Sequence, residues 1–247
     1  MNYHQVGYNY IGYSGGGGSG SGGGILQKRI LRELKDIESQ QYDCSIQLAL
    51  INDSDFTELI GTIAGPPDTP YEHGKFNLSI KLPESYPFKA PIIRFITKIW
   101  HPNVCVETGV ICLDKLDKQW ASSMTLEKAL LTIQSLLSEC EFDDTQEPMV
   151  ARQFLNDIDL FERTARHWTQ VYAVKTRKKI ASIRKDEFST KINRLVNMGC
   201  DEDRARLLLS SHMWNLEKVI SILKNNILNE IARFKRWRQL FVCIHAA

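Results

Sequence analysis

The sequence has few cysteines and no long apolar run. Its six cysteines are spread over 247 residues, and no two of them form a CxxC pair. This argues against a disulfide scaffold and a zinc ribbon, and favours a reducing compartment. No run reaches the roughly 18 apolar residues that a membrane-spanning helix needs, and the start of the chain lacks the pattern of a secretory signal. We therefore expect a globular protein in the cytoplasm, with the nucleus as a second location.

Charge is absent from residues 1–24, which contain 10 of the 15 glycines and 4 of the 8 tyrosines. A Gly/Ser/Tyr-rich segment of this kind cannot bury apolar surface, so we expect a disordered natural arm or an added linker. Residues 25–173 carry 15 basic and 22 acidic side chains, a net charge of −7. This acidic balance argues against nucleic acid as a partner.

The spacing of apolar residues predicts an α+β domain over 25–173. Residues 26–37 have helical spacing, and alternating runs over 46–50, 76–82 and 92–96 predict three or four antiparallel strands with one buried face. A long ordered loop then extends to a helix whose N-cap is Thr125. Two further helices are predicted at about 147–155 and 157–173.

The remainder of the chain predicts a second, smaller domain. Residues 174–187 are rich in basic side chains without a clear apolar face, which is typical of a linker. Three short helical patterns follow within 188–225, enough for a small core. Residues 226–247 form a basic amphipathic tail with a net charge of +3, which we interpret as an extension of the third helix rather than a membrane anchor.

The aperiodic loop contains a candidate nucleophile, Cys112. Loops of this length are uncommon unless they are functional, and a cysteine without a disulfide partner is suited to covalent catalysis. A thiolate both attacks and leaves well, so it can carry an acyl group as a thioester. The alternative is an ordinary buried thiol, which is common in protein cores.

Several motifs around this cysteine occur in a recognisable order. They are HPN at 101–103, Cys112 nine residues after Asn103, Leu113-Asp114, Trp120, GPPDTPYEHG (65–74), LPESYPFKAP (82–91), FDDTQEP (142–148) and the helix around Trp168. Together they resemble the ubiquitin-conjugating enzymes over 25–173. Met198-Gly199-Cys200 in the second domain resembles a ubiquitin-associated domain, so the chain resembles the subgroup in which that domain follows the conjugating domain.

The resemblance implies a fold of one helix, a four-stranded antiparallel sheet and three further helices, followed by a three-helix ubiquitin-associated domain. The implied partners are ubiquitin, an activating enzyme, ligases and protein substrates. The resemblance also implies no cofactor and no metal, because the activating enzyme consumes the ATP. The implied activity is transfer of ubiquitin to a lysine, building polyubiquitin chains.

The resemblance assigns roles at the active site by position. Cys112 would accept ubiquitin as a thioester, and Asn103 would donate its side-chain amide to the oxyanion that forms when a lysine attacks. His101 would brace the loop, although a Cys–His dyad is an alternative. Asp144 would orient the incoming lysine, with Asp114 as a second candidate for this role; the alternative for Asp144 is a solvated turn before a helix. Asn103 has a structural alternative too, since its side chain can bond the backbone.

The resemblance also indicates surfaces for partners. Contact with the activating enzyme and ligases is expected from the first helix and two loops, through Lys28, Arg29, Arg32, Phe88, Ala121 and Ser122. Ubiquitin binding is expected from Met198, Gly199, Ile222 and Leu223, although Cys200 stands where these domains usually have an aromatic residue. The alternative is that this patch packs against the conjugating domain.

Two other functions stay open on the residues alone. A cysteine peptidase would use Cys112 with His101 as its base. A non-catalytic adaptor would keep the conjugating fold only to bind ubiquitin. A thiol-sensitive ubiquitin adduct on Cys112 would distinguish a conjugating enzyme from both of these alternatives.

Overall fold

A computed structural model describes residues 24–39, 45–111, 120–141, 145–174 and 186–226. The predicted arm, linker and tail lie almost entirely outside these residues. Within the described part of the chain, no helix combines the length and the hydrophobicity needed to cross a membrane.

The predicted strands form one antiparallel sheet. Helix α1 (Ile25–Ser39) precedes four strands, β1 (Ile46–Asn52), β2 (Asp55–Ala64), β3 (Lys75–Lys81) and β4 (Ile92–Phe95), which are adjacent in chain order. The alternation in β3 has the expected consequence, because Phe76, Leu78 and Ile80 are all buried. The inner face of the sheet packs against α1 and α2, the helix that follows the long loop.

The helices after the loop also agree with the prediction. They are α2 (Leu126–Leu136), α3 (Pro148–Asn156) and α4 (Ile158–Trp168), and α4 continues into a π-helical turn, Thr169–Ala173. Thr125 is the N-cap of α2, as predicted, and its hydroxyl accepts a hydrogen bond from the backbone N–H of Lys128 at 3.3 Å. The expected conjugating fold is therefore confirmed.

Three helices follow, α5 (Glu187–Val196), α6 (Glu202–Ser211) and α7 (216–226). They enclose a small core of their own, in which the rings of Phe188 and Trp214 stack with centroids 3.8 Å apart. Trp214 and the residue before it, Met213, have positive φ angles of 56° and 55°. This uncommon backbone conformation turns the chain sharply between α6 and α7.

Two buried indoles connect the C-terminal helices to α4. The Nε1–H of Trp214 donates to the hydroxyl of Thr164 at 2.9 Å, and the Nε1–H of Trp168 donates to the hydroxyl of Ser210 at 3.0 Å. The donors come from opposite sides of the contact, one from the turn after α6 and one from α4. The contact is thus specified by directional bonds as well as by apolar burial.

A buried arginine and a nearby ion pair add polar contacts between the C-terminal helices and the conjugating domain. The Arg206 side chain is 3% exposed, and its Nη1 donates to the Tyr172 hydroxyl at 2.8 Å and to Asp203 Oδ1 at 2.9 Å. Lys98, in the loop after β4, donates to Asp203 Oδ2 at 2.7 Å. The planar guanidinium suits this site because it offers several donors in fixed directions.

We expect Arg206→Ala to lower the free energy of unfolding by about 1.5–3 kcal/mol, because it removes hydrogen bonds between charged groups at a buried position. Arg204→Ala is the matched control, since Arg204 lies exposed on the same helix. Urea unfolding followed by tryptophan fluorescence measures both variants. Equal stability of the two variants would contradict the stabilising role of the Arg206 contacts.

Candidate active site

The loop after β4 leaves the sheet and returns to it just before Cys112. Isolated bridges pair Arg94 with Val110 and Val104 with Ile111, and the backbone N–H of Phe95 donates to the carbonyl of Gly109 at 2.8 Å. Gly109 has a φ of 68°, and a Cβ there would lie 1.9 Å from the Phe95 carbonyl oxygen. Only glycine therefore fits this return, which brings Ile111 beside the HPN segment.

His101 lies fully buried at the base of this loop. Its Nδ1 accepts a hydrogen bond from the backbone N–H of Asn103 at 3.0 Å, so its Nε2 carries the proton and donates to the Leu136 carbonyl at 3.1 Å. Burial lowers the pKa of His101 to about 4. The ring is therefore neutral and both nitrogens are engaged, which leaves it no role as a base for a neighbouring thiol.

Asn103 is 1% exposed and connects the loop to the segment after α2. Its Nδ2 donates to the carbonyl of Glu141 at 2.5 Å, and its Oδ1 accepts from the backbone N–H of the same residue at 3.0 Å. The side-chain amide thus pairs with a peptide group as another strand would. These contacts are of the kind expected from the structural alternative for Asn103, in which its side chain bonds the backbone and holds the loop.

Cys112, Asp114 and Asp144 lie outside the described residues. The chain on both sides of Asp144 is nevertheless attached to the HPN segment. Glu141 bonds to Asn103 on one side, and on the other the backbone N–H groups of Gln146 and Glu147 both donate to the Pro102 carbonyl at 3.0 Å. The segment that carries Asp144 therefore starts and ends at the HPN segment, and Ile111, the residue before Cys112, pairs with Val104 directly after it.

Several residues that support this loop were not predicted individually. The buried Tyr71 donates its hydroxyl to the Trp100 carbonyl at 2.8 Å, and Trp100 Nε1 donates to Gln153 Oε1 at 2.7 Å. Tyr71 belongs to segment 65–74. That segment contributed to the family resemblance, but the sequence assigned no role to any individual residue in it.

Two other cysteines lie in the described part of this region. The Cys140 thiol lies 3.5 Å from His101 Nε2, and burial raises its pKa to about 11. It is therefore a thiol rather than a thiolate at neutral pH, and thus a poor competitor for acyl transfer. Cys105, which lies in the loop itself, is a half-buried free thiol.

The predicted contact residues lie on α1 and two neighbouring loops. Phe88 is 81% exposed, and Ala121 and Ser122 are exposed. The Trp120 indole joins the two loops by donating to the Pro87 carbonyl at 2.7 Å.

The three basic residues of α1 differ in their surroundings. Lys28 and Arg32 are exposed, whereas Arg29 donates through Nη2 to the Met124 carbonyl at 2.8 Å. Arg29 Nε also bonds to Glu33. Lys28 and Arg32 are thus available to a partner, while Arg29 connects α1 to a loop of its own chain.

The predicted ubiquitin-binding patch is accessible at its centre. Met198 is 50% exposed and Gly199 is exposed, while Ile222 and Leu223 are half-buried. The surface that packs against α4 includes instead the buried side chains of Phe188, Arg206, Ser210 and Trp214. Contact with the conjugating domain therefore leaves Met198 available.

Comparisons with known proteins agree with this geometry. The family model described as Ubiquitin-conjugating enzyme matches residues 29–169. Ubiquitin-conjugating enzyme E2-22 kDa of Drosophila melanogaster is 52% identical over 192 residues, which are 77% of this chain and 93% of that protein. Ubiquitin-conjugating enzyme E2 K of Homo sapiens is 45% identical over 203 residues, 82% of this chain and 98% of that protein.

A solved structure is similar as well. The E2 domain of a Toxoplasma gondii ubiquitin conjugating enzyme is 40% identical with a TM-score of 0.56, and the match covers 60% of this chain and 98% of that one. The two relatives match over more residues than the family model does, so the likeness extends beyond the conjugating domain. The expected subgroup, with its additional C-terminal domain, is confirmed. The chain belongs to the ubiquitin-conjugating enzymes.

Proposed function

We propose that the chain accepts ubiquitin as a thioester on Cys112 and passes it to a lysine. The observation that carries this proposal is the pairing of Ile111 with Val104, next to Asn103. Cys112 is the next residue along the chain after Ile111. The described geometry therefore ends one residue before the proposed nucleophile, beside the HPN segment, and the residues before and after Asp144 bond to that same segment.

The reaction is a pair of acyl transfers. The Cys112 thiolate attacks the ubiquitin thioester of the activating enzyme, whose own cysteine leaves as a thiolate. A lysine amine then attacks the new thioester, the Cys112 thiolate leaves, and the amine loses a proton as the isopeptide bond forms. The partners are ubiquitin, the activating enzyme, ligases and protein substrates. The chain itself needs no cofactor, because the activating enzyme uses the ATP.

Asn103 has two compatible roles in this proposal. In the resting state its amide pairs with the Glu141 backbone and holds the loop. During lysine attack, its Nδ2–H group would donate a hydrogen bond to the developing oxyanion, because a neutral donor stabilises negative charge there. Asn103 would therefore assist transfer to the lysine more than it assists loading of Cys112.

The acceptor lysine has to arrive uncharged, although its unperturbed pKa is about 10.4. A desolvating pocket lowers that pKa, whereas a carboxylate raises it but orients the amine. We assign the orienting role to Asp144, with Asp114 as the second carboxylate. Support for Asp144 comes from the bonds of Glu141 and Gln146 to the HPN segment.

We further propose that the C-terminal helices hold ubiquitin through Met198, Gly199, Ile222 and Leu223 during chain building. The exposure of Met198 supports this role. A second site tethered to the catalytic domain raises the effective concentration of a growing chain at Cys112, which favours successive additions.

The free thiols of the described cysteines fit activity in the cytoplasm and the nucleus.

Cys112→Ala should abolish the thiol-sensitive ubiquitin adduct, because it removes the sulfur atom that carries the acyl group. The assay combines the chain with activating enzyme, ATP and ubiquitin, and compares gels run with and without reductant. Cys112→Ser should instead form an ester that resists reductant. Cys105→Ala and Cys140→Ala are the matched controls, and loss of the adduct in either one alone would move the acyl carrier away from Cys112.

Asn103→Ala should slow discharge of ubiquitin to free lysine by about 10²–10³, the usual effect of losing one oxyanion donor. We expect Cys112 still to be loaded in this variant. Single-turnover discharge from the preloaded enzyme measures the effect, with Gln146→Ala as the control in the same region. Equal discharge rates in the two variants would exclude Asn103 from the transfer step.

Met198→Asp should weaken ubiquitin binding by about tenfold or more, because it removes an apolar contact worth about 1.5–3 kcal/mol. Chains should then grow more slowly, while transfer of a single ubiquitin to free lysine stays unchanged. Leu155→Asp is the matched control, since Leu155 is 69% exposed on α3 of the conjugating domain. Titration with ubiquitin monitored by NMR measures affinity, and equal affinities in both variants would locate the binding surface elsewhere.

A further inference from the structure

We propose that Glu33 is a positioning residue that fixes the two loops through which the chain meets ligases. The inference rests on the proposed contact role of Phe88, Ala121 and Ser122. Glu33 itself lies on α1, and its side chain is only 3% exposed. It therefore acts through other residues rather than by touching a ligase.

The Glu33 carboxylate accepts hydrogen bonds from three separate parts of the chain. Oε1 accepts from Nε of Arg29 on α1 and from the hydroxyl of Tyr86 at 2.9 Å. Oε2 accepts from the backbone N–H of Leu126 at 2.7 Å. One buried group thus connects α1, the loop before β4 and the start of α2.

The chemistry of the site requires a carboxylate. Arg29 and the backbone of Leu126 can only donate, and Tyr86 donates as well, since burial raises the pKa of its hydroxyl and keeps it protonated. Leu126 is the first residue of α2, where unpaired N–H groups and the helix dipole favour a negative charge. A glutamine would direct its own N–H₂ at one of these donors.

The three donors lead directly to the predicted contact residues. Tyr86 lies two residues before Phe88, and its ring packs beside that of Trp120 with centroids 5.9 Å apart. Trp120 directly precedes Ala121. Arg29 closes the arrangement from the other side through its bond to the Met124 carbonyl. Both contact loops are therefore held at defined positions relative to Glu33.

Glu33 is remote from the reacting groups. It bonds to the first residue of α2, whereas His101 bonds to Leu136, the last residue of the same helix. At 1.5 Å per residue these ends lie about 15 Å apart. Loss of the Glu33 contacts should therefore change recognition of a ligase while the chemistry at Cys112 continues.

The test uses full-length Glu33→Gln, preloaded to completion with ubiquitin by excess activating enzyme. Discharge to free lysine is then followed alone and with a RING-domain ligase chosen from a panel because it stimulates the wild-type chain. Asp36→Asn is the matched control, since it makes the same change at an exposed position of α1. We expect unstimulated discharge within twofold of the control, and at least a tenfold rise in the ligase concentration needed for half-maximal stimulation.

A general loss of structure would instead lower unstimulated discharge, which separates it from positioning. If Glu33→Gln does not fold, Tyr86→Phe decides the question: it removes one hydroxyl, and the ligase concentration for half-maximal stimulation should still rise. The inference would be overturned if Glu33→Gln and Asp36→Asn needed the same ligase concentration for half-maximal stimulation. If Tyr86→Phe has to be used instead, a ligase concentration equal to that of the wild type would overturn it. If the wild-type chain loads no ubiquitin, or no ligase in the panel stimulates it, the proposed function itself fails.

Discussion

The HPN segment is buried but lies outside the helices and the strands of the sheet, so side chains and distant backbone groups have to satisfy its polar atoms. An unpaired buried N–H or C=O group costs about 1–3 kcal/mol, which is a large part of a domain's net stability. In the HPN segment, His101 accepts from the Asn103 backbone, and the Pro102 carbonyl accepts from two N–H groups. The Asn103 side chain pairs with Glu141. The shape of the catalytic region follows from these bonds.

The same requirement explains what could and could not be predicted from the sequence. Alternation in β3 and the N-cap of α2 are local features, so their positions agree with the structure. Glu33 lies on the face that also carries Ile30, yet a charge in an amphipathic pattern is normally taken to face solvent. Its burial depends on donors at positions 86 and 126, far along the chain, which no local pattern reveals.

The candidate site divides in a similar way. The spacing of Cys112 from Asn103 predicts the nucleophile through family resemblance, without any knowledge of geometry. Resemblance also assigned Arg29 to a partner surface, whereas the structure engages it with Glu33 and Met124. The contacts of Arg206 and Asp203 were equally invisible, because they join α6 to Tyr172 and Lys98 in the conjugating domain. Buried charges are thus the part of this chain that its sequence describes least well.

Gly109 has a consequence for how this enzyme could lose its activity. A side chain at that position would collide with the carbonyl of Phe95, so residues 109–111, which lead to Cys112, could not keep their present path. Every group that reacts with ubiquitin would still be present. A genetic variant at this glycine would therefore be an inactive enzyme whose catalytic motif reads as intact.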